Sequence, residues 1–69
     1  MKLYMIISAD KYELPLAVRD TAVDIAKLLG RQPNEIYVAI TKKSVSQDTY
    51  NGYRYRIIKV MTNVEDEDG

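Results

Sequence analysis

The stretch Thr21–Lys43, TAVDIAKLLGRQPNEIYVAITKK, decides the fold. Ala22, Ile25, Ala26, Leu28 and Leu29 recur at the i, i+3, i+4 and i+7 spacings of an amphipathic helix. Thr21, with Asp24 three residues on, predicts an N-terminal cap, with Asp20 as the alternative capping residue. Gly30 supplies the left-handed residue that commonly closes a helix. Pro33 then suits the first turn of a second helix, where a missing N–H costs nothing. Ile36, Ala39 and Ile40 give that helix an apolar side, and it should run to about Lys42. Two helices joined so tightly must cross steeply, which is helix-turn-helix geometry.

Working outward, Lys2–Ala9 (KLYMIISA) is apolar at nearly every position and predicts a central strand. A polar loop follows, Asp10-Lys11-Tyr12-Glu13, and Leu14–Val18 can return as the second arm of a hairpin. Pro15 has no N–H to give a ladder, so this strand should lie at an edge or begin at the proline. Ser44–Gly52 is polar and ends in an Asn51-Gly52 turn signal, and is expected to be the most mobile internal segment. Tyr53–Val60 (YRYRIIKV) alternates as a strand, with Tyr53, Tyr55 and Ile57 on one face and Arg54, Arg56 and Ile58 on the other. Met61–Val64 is a possible extension.

The expected architecture is α+β: a β-hairpin, a helix-turn-helix and a third strand (ββααβ), the three strands forming an antiparallel sheet packed on two helices. A single domain over residues 1–64 and a disordered acidic tail over 65–69 complete the expectation.

Ile25-Ala26, Leu29-Gly30, Ile36 and Ala39-Ile40 resemble the helix-turn-helix pattern of bacterial and phage DNA-binding proteins. There a small residue lets the helices approach, a glycine makes the turn, and spaced aliphatics fill the seam. The span is also similar to the modular DNA-binding helix-turn-helix domains associated with homing endonucleases, and to small proteins encoded by phages of Gram-positive bacteria. It covers 23 of 69 residues. One departure is Arg31, which stands where the family usually has a small aliphatic residue.

Composition narrows the chemistry. The chain has no Cys and no His, hence no disulfide, no thiolate site and neither the commonest general base nor the commonest metal ligand. Its carboxylates fall in loops, at a helix start or in the tail, and its three glycines form no phosphate loop. No catalytic residue, metal site or cofactor is assigned, and an enzyme is not expected. The absence of a long apolar run or a signal-peptide pattern predicts a soluble, cytoplasmic protein without a membrane partner. The formal charge is zero, but Glu65, Asp66, Glu67 and Asp68 hold four of the ten acids. Residues 1–64 therefore carry ten basic against six acidic side chains, a net of +4. That is a modest nucleic-acid footprint.

The expected partner is double-stranded DNA, bound by a regulatory or accessory protein of phage or prophage type, with a homodimer possible. Gln32, Asn34, Tyr37, Val38 and Thr41 fall outside the aliphatic seam of the second helix, the part that meets base edges in such motifs. Lys42, Lys43, Arg54 and Arg56 are the candidate phosphate contacts, with the arginines beside the helical pair. Each has a plainer reading: Asn34 as a cap or a solvated residue at the helix start, Tyr37 packed over the sheet, the arginines as a solvated strand face. Six tyrosines without Phe or Trp invite a base-stacking reading, but rings in the core with hydroxyls at the surface is the better expectation. The alternative function is a protein–protein module, binding a host or phage protein through Tyr37, Val38 or Tyr53, a reading that Glu35 and the zero net charge favour.

Overall fold

Beta-branched and aromatic residues in alternation form strands, while the 3.6-residue period between them forms helices. In the computed structural model, which describes residues 2–61, these signals resolve into six elements. They are β1 (Lys2–Ser8), β2 (Pro15–Arg19), α1 (Ala22–Leu29), α2 (Pro33–Lys42), β3 (Thr49–Tyr50) and β4 (Tyr53–Met61). All neighbouring strands are antiparallel, in the order β2-β1-β4-β3. The nearly continuous apolar strand β1 is central, and β2 lies at an edge and starts at its proline. No helix among the described residues is long and apolar enough to cross a membrane.

The sheet has one strand more than the three expected. Ser44–Gly52 contains β3, whose two residues are too few to show any alternation. The signal lay in its turn: Asn51 (φ 53°) and Gly52 (φ 84°) are both left-handed, as a two-residue type I′ hairpin requires. That turn pairs Tyr50 with Tyr53 and Thr49 with Arg54. The second strand is also displaced by one residue from Leu14–Val18, because the loop holds Leu14. Its N–H donates to the Ser8 hydroxyl at 2.8 Å and its carbonyl accepts from the Ser8 amide at 2.9 Å. Glu13 bends there with φ 48°. The expected tail over 65–69 and the extension over 62–64 lie outside the described residues.

One core lies between sheet and helices. Tyr4 and Ile6 from β1, Tyr55 and Ile57 from β4, Ala22, Ile25 and Ala26 from α1 and Ile36 from α2 form it. α1 packs on β1 and β2, and α2 packs on β4. Burying an aliphatic side chain of this size contributes roughly 1.5–3 kcal/mol. Tyr4 and Tyr55 are core rings, as expected, whereas Tyr12, Tyr37 and Tyr53 are exposed and depart from that expectation. Opposite parity sends Leu3, Met5, Ile58 and Val60 to the other sheet face, outside that core. No helix covers this face among the described residues.

Candidate nucleic-acid interface

The helical pair is built locally before it is packed. The Thr21 hydroxyl accepts from the Asp24 amide at 3.1 Å, satisfying one of the free N–H groups at the start of α1. At the other end Gly30 takes φ 68° and its N–H returns to the Ala26 carbonyl, as does that of Arg31 at 2.9 Å. The chain is extended at Gln32 and re-enters a helix at Pro33. Gln32 is the N-cap residue by backbone geometry, but its side chain makes no capping bond.

Ile36 is fully buried, which fixes the rotation of α2 about its axis. Once Ile36 points inward with Ala39 and Ile40 beside it, helical spacing carries Asn34, Tyr37, Val38 and Thr41 outward. Tyr37 is 52% and Val38 48% exposed, so neither is held by the core. Tyr37, Val38, Thr41 and Lys42 line one shallow surface depression. Gln32, Asn34, Lys42 and Lys43 are also exposed. Asn34 lies inside the first turn and does not cap the helix, but it is exposed there, as a residue that solvates the helix start would be, whereas Tyr37 does not pack over the sheet.

Arg54 and Arg56 stand apart from this surface. Tyr55 and Ile57 face the helices, so the arginines between them face away. The Arg54 guanidinium donates through Nε to the Ser46 carbonyl at 3.2 Å, and that of Arg56 pairs with Glu13 across the sheet. The expectation that they lie beside the helical pair is corrected by this alternation: seven of the nine candidate residues share the α2 side and two do not.

Arg31 is the residue whose part was not foreseen. It bonds Glu35 at 3.4 Å and Asp48 at 2.8 Å, joining the turn to α2 and to the segment before β3. The Tyr55 side chain, followed by Asp48 and Glu35, raises the Arg31 pKa above its ordinary value. An aliphatic residue at this position could make none of these bonds. One consequence is electrostatic: Glu35, the acid on α2 that opposes an approach to phosphates, faces a cation one turn away, and that cation is shared with Asp48. Arg31 and Glu35 also line, with Ile36 and Tyr55, a pocket of about 250 Å³ between α2 and β4.

The β1–β2 loop is a second polar construction. Asp10 accepts from the Ser8 hydroxyl at 2.8 Å, the Tyr12 amide at 3.0 Å and the Glu13 amide at 3.2 Å. The Ser8 bond, with the two amides, lowers the Asp10 pKa below its ordinary value. These bonds tie the loop to itself and to the end of β1, and none leaves the hairpin. In comparisons with protein-family models, curated proteins and solved structures, nothing matches this chain.

Proposed function

We propose that this chain is a small non-enzymatic DNA-binding protein that lays the outer face of α2 along the major groove. The observation that supports it is the exposed row Asn34, Tyr37, Val38 and Thr41 on a helix ending in two lysines, Lys42 and Lys43. Asn34 and Gln32 have the donor–acceptor amide that reads adenine, and Thr41 suits a thymine methyl or a phosphate. The lysines at the helix end neutralise phosphates and carry the sequence-independent affinity. Arg54 and Arg56, on the other sheet face, take no part in this pose. The role would be occupancy of a site or recruitment to it, of the kind phage regulatory and accessory proteins perform.

A salt-series anisotropy titration against random duplex DNA tests the reading. The expected result is binding at roughly 1–100 μM that weakens as a power of salt concentration, as counterion release demands. Lys42→Glu should weaken it and make the salt slope shallower by about one unit, since one phosphate contact is lost. A folded protein that binds no duplex at low salt overturns the proposal. A second reading, a protein-binding module, draws support from Tyr37 and Val38, whose half-exposed apolar atoms suit a partner's pocket. Its signature is a partner interaction lost in Tyr37→Ala and nearly indifferent to salt.

A further inference from the structure

β4 is longer than the strand that shields it. β3 pairs only with Tyr53 and Arg54, and the Ser46 amide reaches the Tyr55 carbonyl at 2.8 Å. The Ala9 amide donates to the Arg54 carbonyl at 2.9 Å, which sets the phase of the ladder. In that phase Arg54, Arg56 and Ile58 turn their backbone polar groups toward β1, and Tyr55, Ile57 and Lys59 turn theirs outward. Among the described residues no strand takes up the outward groups of Ile57 and Lys59.

A groove of about 290 Å³ runs beside this open edge, between the end of α2 and β4. Ile40, Ile57 and Ile58 line it with Arg56, Lys43 and Lys59. Arg56 is paired with Glu13, whereas Lys43 and Lys59 have no ion-pair partner among the described residues. Lys59 is on the helix-side face with Ile57, while Ile58 and Val60 are on the opposite face.

We propose that this edge is a docking site for an extended acidic segment of a partner protein, which adds to the sheet as a strand beside β4. Main-chain bonds to Ile57 and Lys59 would supply the pairing. A segment alternating acidic and β-branched residues fits both faces at once: its carboxylates meet Lys43 and Lys59, and its aliphatic side chains lie along Ile58 and Val60. A second copy of this chain fits worse. Edge-to-edge pairing with a second copy would bring lysines and no carboxylates to Lys43 and Lys59, because β4 carries no acidic residue. This surface is separate from the DNA-facing row of α2, although Lys43 borders both.

The test uses the full chain and a fluorescein-labelled peptide, Glu-Val-Asp-Val-Glu-Val-Asp, followed by anisotropy at low salt. Two isomers of the peptide carry N-methyl groups on alternate residues, one isomer on each set. Strand addition requires only one edge of the peptide, so one isomer should lose binding about tenfold or more while the other stays near the parent. Lys59→Glu, an exposed change, should weaken the parent about fivefold. Equal binding by both isomers would reduce the contact to charge attraction and overturn the proposal, as would no binding at all. Binding that appears only when Glu65, Asp66, Glu67 and Asp68 are changed to their amides would assign the edge to the chain's own acidic residues. A monomer–dimer equilibrium abolished by Lys59→Pro would assign it to a second copy. Either result rejects the partner segment.

Discussion

Two residues hold left-handed backbone at the ends of the two helices, and they differ in how well they suit it. At Gly30 a β-carbon would meet nothing within 4 Å, so space is no obstacle, yet φ is 68°. Gly30→Ala should therefore destabilise by about 1 kcal/mol through backbone strain alone, and Gly30→Asn by less, because asparagine tolerates this region. Lys43 closes α2 at φ 53° with a β-carbon in place. Lys43→Gly should stabilise by up to about 1 kcal/mol while weakening DNA binding. Urea unfolding at constant m-value reads both changes, and opposite signs at the two sites are the expected outcome. A lysine kept where glycine would be more stable is what a binding role for that charge requires. If Lys43→Gly left the DNA affinity unchanged, that role would pass to Lys42 alone.

Among the elements, the β1–β2 connection is held by one ionised carboxylate. Asp10 has a folded-state pKa below the ordinary 3.8, set by Ser8 and then by the amides of Tyr12 and Glu13. A depressed acid contributes stability that is present above the ordinary value and lost as pH falls below it through the folded pKa. Protection of the Tyr12 and Glu13 amides against hydrogen exchange should thus decline in that acid range, and Asp10→Asn should flatten the decline. The loss should be confined to the loop and its junction with β1, since Asp10 is exposed and bonds only Ser8, Tyr12 and Glu13. The sequence marked this loop by polarity alone, and nothing in the spacing of Ser8, Asp10 and Leu14 announced which atoms would meet. The helices were legible because capping threonine, turn glycine, first-turn proline and aliphatic spacing agreed. β3 was not, because a strand of two residues has no period and owes its place to the Asn51-Gly52 turn. The arginines were read in the right alternation but on the wrong side, since parity fixes faces only relative to a partner layer. Arg31 illustrates the same limit: its partner Asp48 is 17 residues away, and no local pattern links them.

At the scale of the whole molecule, a chain of 69 residues has stability of roughly 3–10 kcal/mol, and all of its helix-side packing meets in one core. Ile36 is the single fully buried residue of α2 and sits in the core shared with α1, β1 and β4, with Ala39 and Ile40 packed against it. Ile36→Ala should cost about 2–5 kcal/mol, a large part of the total, and lower the unfolding temperature markedly. Val38→Ala, two residues along and 48% exposed, should stay within about 1 kcal/mol of the parent. Thermal unfolding followed by circular dichroism gives both numbers, and DNA titration of the same samples gives the contrast that matters. If α2 is a binding helix, Val38→Ala must lower affinity at nearly unchanged stability. If α2 only completes the core, Val38→Ala will alter neither quantity, and the exposed row from Asn34 to Thr41 would then be a solvated helix face.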